Sequence, residues 1–293
     1  MANKRLCVSD FDGTWTDEDQ GAPPFRVGFT TALARVVNLD AGELVARLAE
    51  YEKEIMAEPH RHAWVEEGWP VAPSIAGNYL RLRRASELLL DHLDRFPSPK
   101  VRAELFHGLF GDHYHLTRTV FRDGAGETLR ALQSELDCLY VVTNAREPTV
   151  THGKLRELSE RAGVSSIDGS WLPEHVCGDA RKHRVTLEAE GSTSLEATSH
   201  LSIPGLRRGV WLWRGHYFDV LNRLRIKHGV AWPQIRVVGD IFELDLALPF
   251  ALGARVALLA NEFTPPYELE FLSRQENARI LRDIREIPAF FQE

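Results

Sequence analysis

The chain has 293 residues, with 35 lysines and arginines against 42 aspartates and glutamates, and a formal net charge of −7. Because the two signs are interspersed, the composition gives no electrostatic reason to expect nucleic acid or an anionic membrane as a partner. No apolar run approaches the ~20 residues of a membrane span. A length of 293 residues suggests about two domains. The first apolar run begins within about five residues of Met1, which leaves no room for a signal peptide, so we expect a cytoplasmic protein.

The first apolar run, Leu6–Ser9, predicts a strand that ends in Asp10-Phe11-Asp12-Gly13-Thr14. Two acids two residues apart in an extended segment point the same way, and ligands bind at the carboxyl ends of strands in open α/β sheets. Asp10 offers an oxygen ligand for Mg²⁺ and a nucleophile able to form an aspartyl-phosphate. Asp12 can move a proton on and off a leaving oxygen.

Residues 19–118 show apolar residues at helical spacing and no clear strand pattern. Pro23-Pro24 suit a helix start, and Asp40 is a plausible N-cap. The predicted helices lie at 25–37, 41–56 and 74–93, with a fourth from Pro99. We therefore expect an all-helical insertion, directly after the acidic turn, with Arg81, Arg83 and Arg84 on its third helix.

From residue 119 onward, apolar runs that predict strands alternate with helical segments. The runs lie at 136–142, 210–213, 235–240 and 255–259, with a further short piece near Val176 and a polar loop at 190–199. Strands that alternate with helices predict a parallel sheet covered on both faces. The predicted fold class is therefore α/β, with an α/β core at 1–18 and 119–293 and a separate helical domain at 19–118.

Two later strands end in polar residues that could meet the first acidic turn. Thr143 and Asn144 follow the run at 136–142, and a Thr hydroxyl can donate to a phosphoryl oxygen. Asp240 and Asp245, with Glu243 between them, follow the run at 235–239. A third carboxylate would complete an oxygen-rich site for Mg²⁺, although acids are also favourable at any helix N-terminus.

These motifs resemble those of the haloacid dehalogenase-like hydrolase superfamily. The run from Asp10 to Thr14 is similar to its first motif, DxDGT, Thr143 stands in the place of its second, and Gly239 to Asp245 resembles the GDxxxxD form of its fourth. The resemblance implies a Rossmann-like core with a helical cap inserted after the first motif, and Mg²⁺ as cofactor. The implied metal ligands are Asp10, Asp12, Asp240 and Asp245, and the implied substrate contacts are Gly13, Thr14 and Asn144.

The third motif of this superfamily, a cation that contacts the phosphoryl group, has two candidates here. Lys182 lies 58 residues before Asp240, more than a short helix and loop require, whereas Arg214 lies 26 residues before Asp240 and directly precedes a predicted helix. An Arg presents a planar fork where Lys presents a point charge. The sequence favours Arg214 slightly, because a residue at a helix start also lets the helix N-terminus face the anion.

The predicted activity is hydrolysis of a small phosphorylated metabolite, as a phosphoric monoester hydrolase that works through an aspartyl-phosphate. Asp12 favours phosphoryl transfer over halide displacement, which has no leaving oxygen to protonate. The alternatives are a phosphomutase, a phosphonate-cleaving enzyme, or a regulatory or binding protein that keeps the fold without turnover. The sequence leaves the substrate and the oligomeric state open.

Overall fold

The structure, a computed structural model, describes residues 5–186 and 199–293. The polar loop predicted at 190–199 lies outside the described residues, apart from Ser199. The chain divides into two compact units. The first comprises Met1–Thr16, Val65–Ala72 and Phe121–Glu293, and the second comprises Asp17–Trp64 and Pro73–Val120.

The strands lie almost entirely in the first unit. In chain order they are β1 (Leu6–Ser9), β2 (Ala63–Glu66), β3 (Trp69–Pro73), β4 (Leu139–Val142), β5 (Val176–Cys177), β6 (His200–Leu201), β7 (Val210–Trp211), β8 (Ile235–Gly239), β9 (Arg255–Leu259) and β10 (Ala278–Leu281). Six of them form one sheet in the order β10-β9-β8-β1-β4-β5, with every pair parallel. The predicted parallel α/β sheet is therefore confirmed.

The helices alternate with these strands in the first unit and dominate the second. They are α1 (Glu18–Gly21), α2 (Pro23–Val37), α3 (Ala41–Ala57), α4 (Asn78–His92), α5 (Pro99–His113), α6 (Ala125–Ala131), α7 (Pro148–Ala162), α8 (Trp171–His175), α9 (Gly215–His228), α10 (Ala247–Ala251), α11 (Pro266–Leu272) and α12 (Ile287–Gln292). No helix within the described ranges is long and apolar enough to cross a bilayer.

β1 is a central strand of the sheet because apolar side chains cover both of its faces. Leu6 and Val8 pack on the side that carries residues of α9 and α10, whereas Cys7 packs on the side of α6, α7 and α12. A strand buried on both faces is apolar at nearly every position. This explains why β1, β4 and β8, with no exposed residue, give the clearest strand signals in the sequence.

One correction concerns the predicted all-helical segment, because β2 and β3 form a two-stranded hairpin within it. Its two-residue turn, Glu67-Gly68, has positive φ at both positions, 49° and 86°. Paired positive φ angles match the right-handed twist of a tight hairpin. The Glu-Gly turn lacks the Asn or Asp that makes such turns easy to find in a sequence.

The second unit has its own aromatic core between α2 and α5. Phe25 and Phe29 of α2 contact Phe110 of α5, with ring centroids 5.2 Å and 5.1 Å apart. The arginines of α4 are bound inside this unit. Arg81 is buried and donates to the Ile75 carbonyl at 2.8 Å and to Asp19, while Arg83 and Arg84 pair with Glu87.

A second difference from the predictions lies at 210–213, where the structure has only the two-residue strand β7. β7 pairs with β6 in a separate antiparallel ribbon and is not part of the parallel sheet. The run alternates half-buried Trp211 and Trp213 with buried Leu212. Alternation of this kind suits a strand with one exposed face. The pattern therefore predicts a strand, but it does not predict which sheet the strand joins.

Candidate active site

Asp10 stands directly after β1, where the chain turns away from the sheet. Its backbone N–H donates to the Val238 carbonyl at 2.9 Å, which fixes the start of the turn to β8. The turn needs Gly13, whose φ is +86° and whose added Cβ would lie 2.2 Å from the Asp240 Oδ2 atom. The glycine thus allows the backbone of the first turn to approach the carboxylate that follows β8.

Three carboxylates meet above the central strands. Asp10, Asp240 and Asp245 each offer an oxygen atom, and these atoms all lie within 4.8 Å of one another. Asp240 follows β8, and Asp245 lies in a π-helical turn, Phe242–Leu246, that precedes α10. The Thr14 hydroxyl oxygen lies 3.3 Å from Asp10 Oδ2 and 3.2 Å from Asp240 Oδ1. The two sequence motifs therefore form one site.

Lys182 brings a cation into this cluster. Its Nζ atom lies 2.6 Å from Asp10 Oδ1 and 2.8 Å from Asp245 Oδ1, and its side chain is 1% exposed. The backbone N–H of Lys182 donates to Asn144 Oδ1 at 2.8 Å, so the loop after β4 holds the loop after β5 in place. Tyr217 lies on the other side, with its ring centre 5.6 Å from Nζ.

The electrostatics of the cluster follow from its burial. Burial raises the pKa of Asp10 to about 7, and the Lys182 ammonium opposes that rise. Burial alone would lower the pKa of Lys182, but Asp10 and Asp245 raise it above its usual value. Lys182 therefore remains a cation, and it favours the ionised form of Asp10.

The donor set fits a hard divalent cation. Three carboxylates against one ammonium leave a formal charge of −2, and Mg²⁺ prefers one or two carboxylates together with waters and phosphate oxygens. Gly13 provides the space, since any side chain there would fill the position of the Asp240 carboxylate. Asp10, Asp240 and Asp245 are the residues that could hold such an ion.

Thr143 and Asn144 occupy the loop after β4, and among the described residues their hydrogen bonds go to partners other than Asp10. Thr143 is buried, and its hydroxyl oxygen accepts from the Ala145 N–H at 3.2 Å. Its backbone N–H donates to the carbonyl of Cys177, the last residue of β5, at 2.9 Å. Asn144 contacts the backbone of Lys182. Both residues shape the loop that positions the Lys182 side chain.

Asp12, predicted as a metal ligand, has its side chain outside the carboxylate cluster. Its Oδ1 atom lies 2.6 Å from Nζ of Lys154, a residue of α7. Both side chains are partly exposed, at 27% for Asp12 and 20% for Lys154. No sequence pattern distinguishes Lys154 from the other charged residues of α7, so the sequence did not predict it, and only its ion pair with Asp12 in the structure reveals it.

Arg214 does not join the cluster. Its guanidinium donates to the Trp211 carbonyl at 3.1 Å and to the Val71 carbonyl at 2.9 Å, and its NH1 atom is buried without a hydrogen-bond partner in the structure. Burial lowers the pKa of Arg214 to about 10. The geometry thus favours Lys182 over Arg214 as the cation next to Asp10, the opposite of the sequence-based preference.

Glu243, the remaining acid of the fourth motif, also has another partner. Arg208 binds it with two hydrogen bonds of 2.7 Å, and Glu243 is 2% exposed. Such a two-pronged pair is the strongest form of Arg–carboxylate contact. Glu243 therefore fixes the π-helical turn that carries Asp245, and its carboxylate is not among the three that meet in the cluster.

Comparison with solved structures supports the fold. A structure titled a predicted phosphoglycolate phosphatase, from Haemophilus somnus 129PT, is similar over 98% of this chain and 97% of its own, with 16% identity and a TM-score of 0.50. A haloacid dehalogenase-like protein of unknown function from Agrobacterium tumefaciens strain C58 covers 98% of this chain and 97% of its own at 13% identity, with a TM-score of 0.48. Neither a protein-family model nor a curated protein matches the sequence. The sheet order and the similarity to the Haemophilus structure show the fold of this chain, and the motifs at its strand ends resemble those of the haloacid dehalogenase-like superfamily.

Proposed function

We propose that this protein is a Mg²⁺-dependent phosphohydrolase that acts on a small phosphorylated metabolite through an aspartyl-phosphate. The observation that carries the proposal is the position of Lys182 between Asp10 and Asp245. An ammonium in that place can orient the nucleophile and also neutralise a phosphoryl oxygen bound beside it. In phosphoryl transfer, positioning and charge stabilisation supply most of the catalysis.

In the proposed first step, a carboxylate oxygen of Asp10 attacks phosphorus and the bond to the leaving oxygen breaks. The carboxyl group of Asp12 gives its proton to that oxygen, and the alcohol departs. Asp12 then takes a proton from water, whose oxygen attacks phosphorus and releases phosphate and the Asp10 carboxylate. The net reaction is hydrolysis of one phosphate ester by one water molecule.

The remaining side chains hold the reacting groups. Thr14 contacts Asp10 and Asp240 and would hold the two carboxylates in fixed positions relative to each other. Thr143, Asn144 and Gly13 would border the phosphoryl group at the same strand ends. Mg²⁺ held by Asp10, Asp240 and Asp245 would neutralise phosphoryl oxygens and reduce the repulsion between substrate and nucleophile.

Two features support phosphate-ester hydrolysis over halide displacement. Asp12 supplies a proton donor that a departing halide does not need, and the ion pair with Lys154 keeps that carboxylate next to the first turn. The domain organisation predicted above, a core at 1–18 and 119–293 with a cap at 19–118, remains part of this proposal.

The experiment that tests the proposal compares the protein with its Asp10→Asn variant on a panel of phosphorylated metabolites and on an aryl phosphate, each with Mg²⁺. Loss of a covalent nucleophile is poorly compensated, so kcat should fall by roughly 10³-fold or more. Acid quenching during turnover should also trap a phosphorylated protein that hydroxylamine cleaves, and Asp10→Asn should abolish it.

Asp137→Asn is the matched control, because Asp137 is an exposed aspartate that precedes the start of β4, at the edge of the sheet opposite to the strand ends that carry the site. It should retain full activity, and circular dichroism should show the same fold in all three proteins. Turnover that survives in a folded Asp10→Asn protein would reject the assigned nucleophile. Absence of turnover on every phosphate ester would instead favour a binding protein on this fold.

A further inference from the structure

The ion pair between Asp12 and Lys154 joins the first motif to a helix that the motifs do not include. Lys154 lies on α7, which follows the loop of Thr143 and Asn144. Its Nζ atom is 2.6 Å from Asp12 Oδ1. Within residues 5–186 and 199–293, this is the only hydrogen bond of the Asp12 side chain that the structure gives.

The ammonium of Lys154 is itself held in place. It lies 5.7 Å from the centroid of the Phe11 ring, within the range of a cation–π contact. Phe11 is fully buried in the layer that contains Leu155 and Leu158 of α7. Lys154 is therefore fixed against the two residues that precede Gly13, and it is only 20% exposed.

This arrangement determines where the Asp12 carboxyl group can go. The turn at Gly13 leaves the Asp12 side chain at the rim of the site, 27% exposed, and within the described residues its hydrogen bond goes to Lys154 and not to Lys182 or Thr14. A short, partly exposed Asp without a partner would sample several rotamers. A single ordered partner selects one of them.

We propose that Lys154 is a positioning residue for proton transfer, which holds the Asp12 carboxyl group next to the bond that breaks. In this proposal Lys154 acts through Asp12 and not directly on the substrate or on Asp10. This inference rests on the proposed function of Asp12. Because displacement by about 1 Å at a reacting group can cost 10²-fold in rate, loss of Lys154 should affect the reaction selectively.

The readout is how kcat/KM depends on the leaving group of the ester. Dinitrophenolate can depart without receiving a proton, whereas phenolate needs a proton from Asp12. In Lys154→Met, kcat/KM for phenyl phosphate should fall by roughly 10-fold to 10²-fold, while kcat/KM for dinitrophenyl phosphate should change by less than about 3-fold. Asp12→Asn should show the same selectivity, to a larger extent. Lys154→Arg should restore part of the loss.

A double-mutant cycle separates action through Asp12 from a general effect on the fold. If Lys154 acts only through Asp12, the variant Asp12→Asn/Lys154→Met should be no slower than Asp12→Asn alone. Arg156→Met is the matched control, because Arg156 is an exposed cation on the same helix. Additive losses, or an equal loss on both esters, would overturn the proposal.

A crystal structure of Lys154→Met provides a test that does not need turnover. The Asp12 carboxyl group should leave its position or occupy several rotamers, while Asp10 and Lys182 stay in place. An unchanged Asp12 rotamer would overturn the positioning role even if the protein proved inactive on phosphate esters. Inactivity of the unmodified protein would count against the proposed function alone.

Discussion

At the scale of single residues, Lys182 and Arg214 are both buried cations, and only their contacts distinguish them. Lys182 binds two carboxylates, whereas Arg214 binds two backbone carbonyls. A cation that stabilises a transition state affects the rate, and one that satisfies buried carbonyls affects stability. Substitution of Lys182 should therefore lower the rate, whereas substitution of Arg214 should lower the free energy of unfolding.

We expect Lys182→Ala to lower kcat by roughly 10²–10³-fold, because it removes charge next to the phosphoryl group. Arg214→Ala should lower the free energy of unfolding by about 1–3 kcal/mol, because the carbonyls of Trp211 and Val71 lose their donors, and kcat should stay within about 10-fold. Steady-state kinetics and urea unfolding on both variants test this. A stable Arg214→Ala protein with a rate as low as that of Lys182→Ala would contradict it.

The sequence predicted which residue types meet at the site, but not which cation. Its preference for Arg214 relied on the position of that residue at a helix start, and the 58 residues between Lys182 and Asp240 made Lys182 look remote. In the structure, the Asn144 side chain binds the Lys182 backbone before that segment begins. A side-chain contact across two loops leaves no periodic signal, and the same holds for Lys154 and Asp12.

At the scale of elements, the turn that carries Asp240 and Asp245 is supported by a buried network with α11. Arg208 binds Glu243, and Tyr267 donates to Glu243 Oε1 at 3.4 Å. Glu268 is 1% exposed, and its Oε1 atom has no hydrogen-bond partner in the structure. Burial, and then Glu243, raise the pKa of Glu268 well above its usual value, while Arg208 opposes the rise.

This shift makes stability depend on pH. The pKa of Glu268 is higher in the folded protein than the ~4.3 of an unfolded chain, so the folded state binds the proton more tightly. The stability that Glu268 contributes is therefore fully present below its unfolded pKa, and this contribution is lost as the pH rises through the folded pKa. Glu268→Gln mimics the neutral acid and should escape this loss.

The expected result is that Glu268→Gln matches the unmodified protein near pH 4–5 and becomes more stable than it at higher pH, by up to about 1.4 kcal/mol per pH unit. Urea unfolding between these pH values and pH 8 measures the difference. Glu270→Gln, an exposed position on the same helix, is the control and should give a nearly constant difference. Parallel curves for Glu268→Gln would mean that Glu268 is not a buried neutral acid.

The strands that are most deeply buried were the easiest to predict from the sequence. β1, β4 and β8 have buried residues at every position, and their apolar runs stand out. The hairpin of β2 and β3 was missed because its strands are short and β2 has no buried residue, so the segment shows no continuous apolar run. The pairing of β7 with β6, and not with the sheet, depends on tertiary contacts that the short run at 210–213 does not encode.

At the scale of the whole molecule, one buried site holds several charges of the same sign. Asp10, Asp240 and Asp245 meet on a sheet whose two faces are closed by apolar layers. Carboxylates brought together in a buried place repel one another, so the folded state without a cation carries an electrostatic cost. A cation that binds only the folded state should reduce that cost and stabilise the whole first unit.

Binding to the folded state alone stabilises a protein by RT ln(1 + [L]/Kd), about 2.7 kcal/mol when Mg²⁺ is present at 100 times its Kd. The melting temperature should therefore rise by several degrees when Mg²⁺ is added after treatment with a chelator. Ca²⁺ should substitute poorly, because it prefers longer bonds and more ligands than this cluster of carboxylates offers.

Asp240→Asn removes one of the three carboxylates without changing the size of the side chain, so it should abolish most of the Mg²⁺-dependent rise. Glu104→Gln, at an exposed position of α5, removes the same charge elsewhere and should leave the rise intact. Differential scanning calorimetry over a Mg²⁺ series measures both effects without any substrate. An equal rise in all three proteins would place the ion outside the carboxylate cluster, because a cation bound at Asp240 has to sense the loss of that charge.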